Sequence, residues 1–260
     1  MIFFIEFESL PDRFELALKN RNVKNKLNNK NIEIYVDKCP KSSGELIALK
    51  SIEFEYENEL GKKIQDLLIL GNFMKQFDFV LPIKYYSLES NEKSKVFRLH
   101  YIMELADSTL ADELNSRRKK KLSFTFIELV NISKSLCQIF MELQKNNLVH
   151  GNLKPENILY VKGNMKLSDF TVDEEKIMLN KYNQIKSDKL DEIYSCGAIL
   201  LQCGLVTDFE YTKENIDLGL EKLKKQQEAW FVEVVKKMLK SSESFSFEEF
   251  YNLLNVYQEV

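Results

Sequence analysis

From Ile32 the chain alternates: Ile32, Ile34 and Val36 fall on one side of an extended backbone, KSSG at 41–44 supplies a turn, and LIALKSIEF resumes the apolar run. Two strands around a short turn predict a hairpin. Residues 58–75 change period, with Leu60, Ile64, Leu67 and Leu68 at helical spacing, and FVLPIKYY (79–86) and VFRLHYIM (96–103) then read as two further strands. After about residue 108 helical spacing takes over. Thr125-Phe126-Ile127-Glu128 has the form of a capping box. It opens a run in which Leu129, Ile132, Leu136, Phe140 and Leu143 share one face. Residues 190–203 predict a strongly apolar helix, the kind that sits at the centre of a helical lobe. Residues 230–240 and 246–256 predict two more, the last opened by Ser246-Phe247-Glu248-Glu249. The Lys/Asn-rich stretch 19–31 has little periodicity and is expected to be a solvated connection.

The pattern divides the chain into an N-terminal extension (1–30), a small strand-rich lobe with one helix (31–104) and a larger helical lobe (105–260), with the boundary near 104–108. The extension carries Phe3, Phe4, Phe7 and Phe14, which either pack back on the first lobe or dock on a partner.

Composition narrows the function classes. In 260 residues, 37 Lys and Arg oppose 40 Asp and Glu, a net charge of −3, and apolar residues make up 44%. The chain is too apolar for a disordered protein and too evenly charged to point to nucleic acid. Apolar runs such as Leu67–Leu70 and Ala198–Leu201 are far short of a membrane span, and MIFFIEF has no basic leader. Cys39, Cys137, Cys196 and Cys203 form no CxxC, and His100 and His150 lack metal-ligand spacing, so reduced thiols and an intracellular, cytoplasmic location are expected.

The chemistry concentrates in LVHGNLKPENILYVKGNMKLSDF, residues 148–170. His150-Gly151-Asn152-Leu153-Lys154-Pro155-Glu156-Asn157 resembles the catalytic loop H-R-D-L-K-P-E-N of eukaryotic protein kinases, agreeing at six of eight positions. Asp169-Phe170-Thr171, twelve residues on, resembles D-F-G. The resemblance spans roughly residues 30–256 and lies nearer the Ser/Thr branch. It implies an α+β, two-lobed protein-kinase-like fold: a small antiparallel-sheet N-lobe with one helix and a larger helical C-lobe.

The departures from that pattern matter most. Phosphoryl transfer relies on positioned phosphates, metal ions and a group that orients and deprotonates the hydroxyl. In the family that group is the Asp of H-R-D; here the position is Asn152, although Lys154 is retained. Positioned proton transfer contributes about 10²–10⁴-fold. The family's Gly-rich loop lets backbone amides approach the phosphates, but Gly44 is the first glycine of this chain. A count back from GELIALK puts Asn28, Lys30 and Glu33 at the three glycine positions and Tyr35 over the adenine. Gly151 replaces the arginine that pairs an activating phosphate. The interval from Asp169 to Glu192, which matches the acidic residue opening the family's central helix, contains no A-P-E. No arginine follows Arg118 to pair with one.

Other ligand groups survive in the resemblance. Ala48-Leu49-Lys50 matches the end of V-A-I-K, with Lys50 toward the phosphates and Asp66, or alternatively Glu59, as its acidic partner. Asn157 and Asp169 match the two metal-binding residues; Ala48 and Leu159 match those that sandwich adenine. Met103 precedes a hinge of Glu104, Leu105 and Ala106. His150, Phe170, Ile83 and Leu70 match a hydrophobic column. Each of these also has a packing reading: Lys50 and an acid can tie strand to helix, and Asp169 can cap backbone. The run Arg117–Lys121 reads as a solvated loop between helices, an acidic-partner or phosphoinositide site being its other reading. Cys196 and Cys203 read as small buried hydrophobes. Together the residues point to a catalytically inactive kinase-like protein that binds protein partners as scaffold or allosteric regulator and needs no cofactor. The alternative is a weak or atypical Ser/Thr kinase, or an ATP-sensing switch, using ATP and Mg²⁺.

Overall fold

The alternating segments form a five-stranded sheet in which every neighbouring pair is antiparallel. Strands β1 (Phe14–Leu16), β2 (Ile32–Asp37), β3 (Glu45–Phe54), β4 (Ile83–Asn91) and β5 (Val96–Glu104) lie in the order β1-β2-β3-β5-β4. This computed structural model describes residues 14–16, 32–37, 45–54, 61, 77–91, 96–146, 148–170, 182–207, 213–240 and 245–256. The turn at 41–44, the segment 19–31 and nearly all of the helix expected over 58–75 lie outside them. The strands flanking KSSG pair as expected, from Ile32 opposite Lys50 to Asp37 opposite Glu45.

Two expectations change in this sheet. The stretch 1–30, set apart as an extension, supplies β1, which pairs with β2 from Phe14–Asp37 to Leu16–Tyr35. A strand edge offers unpaired amides and carbonyls, and three residues of extended chain meet them. Phe3, Phe4 and Phe7 lie outside the described residues. The single strand expected over 79–86 is split at Pro82, which has no N–H to give a ladder. Ile83 onward joins β5, whereas Leu81 N donates to Leu167 O at 2.9 Å and Leu167 N donates to Phe79 O at 2.7 Å.

That second pairing has a topological result. Strands β6 (Ser108–Thr109), β7 (Ile158–Val161) and β8 (Asn164–Leu167) form a small sheet in that order. Between β7 and β8, Lys162 and Gly163 both have positive φ (51° and 81°), the backbone of a tight hairpin turn. Leu159 and Val161 pack with Ala48, Leu81, Leu99, Tyr101 and Met103 in one buried cluster. The chain therefore divides into one unit of Met1–Ser108 with Leu159–Ser168 and a second of Thr109–Ile158 with Asp169–Val260. Residues 105–260 are not one continuous lobe, because the apolar side chains of this hairpin are buried among the strands of the first unit.

The second unit is helical. Helix α1 (Leu110–Lys120) opens on a capping box between Thr109 and Asp112: Asp112 N donates to Thr109 Oγ1 at 3.0 Å, and Thr109 N donates to Asp112 Oδ2 at 3.0 Å. The basic run expected as a loop is instead its last turn, closed by Lys121 at φ 56°. Cations at a helix C-terminus are favourable to the macrodipole, and the firm N-cap starts the helix early enough to include them. Arg117 is not solvated; it stacks 3.9 Å from the Phe124 ring centroid and donates to Glu113, Glu128 and the Ser123 carbonyl.

Helix α2 (Phe126–Lys145) has the predicted capping box, Thr125 N donating to Glu128 Oε2 at 2.7 Å, and all five residues of its predicted face are buried. Helix α3 (Tyr182–Leu205) begins well before residue 190. Helix α4 (Lys213–Gln226) is absent from the sequence reading. Its buried Ile216, Leu220 and Leu223 keep helical spacing among Lys and Glu. Helices α5 (Ala229–Lys240) and α6 (Phe247–Val256) fall where expected, and Glu249 N donates to Ser246 Oγ at 3.2 Å.

A Cβ on Gly197 of α3 would lie 2.6 Å from the Met238 Cβ of α5 and 3.2 Å from Leu239 Cγ. Gly197→Ala is expected to cost about 1–3 kcal/mol by overpacking, read as a lower urea midpoint; an unchanged midpoint would mean the two helices part freely. At Glu128, burial pushes the carboxyl up. The Thr125 amide and hydroxyl and the Arg117 guanidinium outweigh that and hold it below the ordinary value of 4.5. A carboxyl lowered by folding adds stability above its unfolded pKa and loses it as pH falls through the folded one. The stability gap between wild type and Arg117→Met should thus be larger at neutral pH than at about pH 3. A gap independent of pH would assign Arg117's role to packing alone.

Candidate functional site

In the second unit the catalytic-loop resemblance is a tightly bonded structure. His150 is fully buried, and its backbone N–H and that of Gly151 (3.1 Å) both donate to Glu192 Oε1, on a side chain only 6% exposed. Gly151 has φ 73°, a left-handed conformation glycine adopts without steric cost. Any side chain there would add about 1–2 kcal/mol of strain. Asn152 N donates to His150 Nδ1 at 3.2 Å, which leaves the ring proton on Nε2. The His150 and Phe170 rings meet with centroids 4.3 Å apart.

The three polar positions of interest form one chain of hydrogen bonds. Asn157, buried at the end of the short 3₁₀ turn Pro155–Asn157, donates from Nδ2 to Asn152 O at 2.8 Å. Asn152 Nδ2 donates to Asp169 O at 3.4 Å. Asp169 has φ 58°, a strained conformation for a residue with a Cβ, held where Phe170 is locked beside His150. Lys154 is exposed. The structure thus brings together Asn152, Asn157 and Asp169. Asn157 and Asp169 offer one amide oxygen and one carboxylate, donors of the hard type Mg²⁺ accepts. No cluster of three or more His, Cys, Asp or Glu suited to a metal occurs among the described residues.

In the first unit Lys50 stands on β3 opposite Tyr101 of β5, its Nζ 5.8 Å from the ring centroid. Its expected partner Asp66, the alternative Glu59, and Leu70, Asn28 and Lys30 lie outside the described residues; Glu33 and Tyr35 lie on β2. Ala48 and Leu159, the residues matched to an adenine sandwich, are both buried in the cluster that holds Met103, with Ile83, Leu105 and Ala106 packed against it. Glu104 accepts from Lys162 Nζ at 2.7 Å, and that bond holds its carboxyl below the ordinary range. Lys162 N donates to Asp107 Oδ2 at 2.7 Å, and Asp107 N donates to Tyr160 O at 2.8 Å.

Residues 104–107 are therefore stapled to the β7–β8 turn. Sequence reasoning missed Lys162 and Asp107 here, though Lys162-Gly163 between alternating apolar residues is a turn signal. It also missed Tyr101 beneath Lys50. Cys196 and Cys203 are buried, and burial pushes the Cys203 thiol up to about 12 and the Cys196 thiol well above its ordinary value. Neither is a nucleophile.

This arrangement of loop, hairpin and sheet agrees with the comparisons to known proteins. Residues 35–188, more than half of the chain, match the model of the protein kinase domain family. Serine/threonine-protein kinase mph1 of Schizosaccharomyces pombe is 33% identical over 35% of this chain and 13% of its own length. Calcium-dependent protein kinase 5 of Plasmodium berghei is 34% identical over 46% of this chain and 20% of its own length. Serine/threonine-protein kinase MPS1 of Encephalitozoon cuniculi is 25% identical over 60% of this chain and 29% of its own length. The chain spans less than a third of the length of each of these curated relatives. With an antiparallel five-stranded sheet in one unit, a helical second unit and the bonded loop at His150–Asn157, the chain belongs to the protein kinase domain family.

Proposed function

We propose that this member of the family is catalytically inactive and works by binding other proteins, as a scaffold or as an allosteric regulator of an active kinase. The observation that carries the reading is Asn152. It stands where the family's pattern keeps the base, its amide has no useful basicity at pH 7, and its NH₂ group donates to the Asp169 carbonyl.

Several features support it. The segment 17–31, which joins β1 to β2, contains no glycine, and neither does anything before Gly44; backbone amides wrapped round a triphosphate need residues without a Cβ. Gly151 has no side chain to pair an activating phosphate. The residues matched to the adenine sandwich, Ala48 and Leu159, are already buried. On this reading neither ATP nor Mg²⁺ is required, no nucleic acid is bound, and the protein works inside the cell, in the cytoplasm. Among the described residues no helix is long and apolar enough to cross a membrane.

A second reading, a weak or atypical Ser/Thr kinase or an ATP-sensing switch, is favoured by the retention of Lys50, Asn157 and Asp169 and by the printed names of the relatives. There Lys50, with Asp66, would hold the phosphates, Ala48, Leu159 and the hinge at Glu104–Ala106 the base, and Asn157 and Asp169 the metal. ATP·Mg²⁺ would supply the transferable phosphoryl group and the charge that neutralises it.

Thermal unfolding with ATP and Mg²⁺ separates the two. The inactive reading expects an unchanged midpoint, whereas a ligand selective for the folded state raises it with concentration. Labelled ATP should yield no phosphoprotein from the wild type or from Asn152→Asp, since that substitution leaves the phosphate loop unrepaired. Transfer that disappears in Lys50→Ala and in Asp169→Ala would sink the proposal.

A further inference from the structure

The corner where α1 passes into α2 is braced from within. Leu122 N donates to Arg117 O at 3.0 Å and Lys121 N to Arg118 O at 3.2 Å, which closes α1. Arg117 donates to Glu113 of α1 at 2.7 Å, to the Ser123 carbonyl at 2.8 Å and to Glu128 of α2, and its guanidinium lies on the Phe124 ring. One side chain thus ties together a helix end, the connecting loop and the next helix start.

Two features of this corner take no part in the brace. The first is charge: Lys119, Lys120 and Lys121 are exposed one after another. The carboxylates of residues 109–131 are Asp112, Glu113 and Glu128; the Thr109 cap takes the first and Arg117 the other two. The lysines therefore make a local positive field in a chain whose net charge is −3. The second feature is apolar. Leu122 is 54% exposed and Ile127 68% exposed, on either side of the buried Phe124. A single exposed aliphatic residue needs no explanation, and lysines at a helix C-terminus suit the macrodipole without any ligand. Three cations beside two exposed aliphatic side chains, all on one braced corner, are a different matter.

We propose that this corner docks on an anionic phospholipid surface. The lysines lie at the level of the headgroups, which meet them as point charges with no fixed bonding geometry. Leu122 and Ile127 enter the boundary between headgroups and acyl chains. An acidic protein segment fits less well. Arg117, whose guanidinium could grip a carboxylate at two points, is committed inward, and the exposed cations are all lysines. The inference goes beyond the protein-binding reading and does not depend on it, because no residue of the loop at 150–157 takes part.

The test uses the full chain without nucleotide and its sedimentation with vesicles of phosphatidylcholine, alone or mixed with phosphatidylserine. Binding should require phosphatidylserine and weaken as salt rises. Lys119→Ala, Lys120→Ala and Lys121→Ala together should weaken it roughly a hundredfold, at about fivefold for each lysine. Arginine at the same three positions should preserve it. Leu122→Ser with Ile127→Ser should weaken it about tenfold at unchanged charge. Lys222, Lys225 and Lys237, exposed on α4 and α5, supply the comparison: alanine at those three should leave binding intact. Equal binding to phosphatidylcholine alone, binding indifferent to the lysines at 119–121, or an equal loss from the comparison set would overturn the proposal. So would a polyglutamate peptide that binds at this corner while vesicles do not. Any of these failures leaves the inactive reading where it stands, and phosphate transfer from ATP would sink that reading without touching the lipid surface.

Discussion

One buried carboxylate organises the loop on which every functional reading depends. Glu192, near the middle of α3, takes the backbone amides of His150 and Gly151 on a single oxygen. Hydrogen bonds to a charged acceptor contribute about 1.5–3 kcal/mol, and a buried carboxylate without donors would be costly. The two amides and the acid therefore hold one another in place. With His150 fixed, its Nδ1 positions the Asn152 amide and its ring lies beside Phe170. Phe170 in turn locks the strained backbone of Asp169. Asn157 closes the loop from below by donating to Asn152 O. Remove the carboxylate and each of these positions loses its reference.

The positions where this chain departs from the family pattern are ones where this frame tolerates, or even prefers, the residue present. Asparagine has the shape of aspartate but exchanges an acceptor oxygen for a donor, and the donor reaches the Asp169 carbonyl. An amide thus stands at the position of the pattern's carboxylate while the loop stays hydrogen-bonded. Gly151 sits at a φ of 73°, where an arginine would be strained and glycine is not. Departure from the family pattern and retention of its fold are therefore not in tension in this molecule. Stability comes from the buried faces of α2, α3 and α5 and from the Glu192 frame, none of which requires a phosphate.

The legible parts of the sequence were those where a local rule and the tertiary context agree. Thr125 and Glu128 announced α2, and its i, i+3, i+4 face packed as the spacing implied. The motif at 148–170 placed Asn152, Asn157 and Asp169 together. What escaped notice depended on partners distant in sequence. Three residues of β1 carry no periodic signal and become a strand only beside β2. Pro82 divides an apolar run whose first half is claimed by Leu167 of β8, far along the chain. Leu159 and Val161 follow the catalytic loop in sequence yet are buried among β3 and β5. The Lys-rich end of α1 reads as a loop because charge hides helical continuity, and the same charge hides the spacing of Ile216, Leu220 and Leu223 in α4. Asp66 and its alternative Glu59, the expected acidic partners of Lys50, fall outside the described residues.

The Glu192 frame also fixes the loop segment that follows it. Leu153 to Glu156 lie between two fixed points: Gly151, held by Glu192, and Asn157, held by Asn152. Lys154 is consequently presented from a segment anchored at both ends. Preorganisation of that kind lowers the entropic cost of association. An enzyme needs such rigidity to align a hydroxyl with a phosphate; a binding module needs it to present one fixed surface to a partner. Rigidity of this loop therefore serves either role, and the persistence of its hydrogen bonds is not by itself a sign of catalysis.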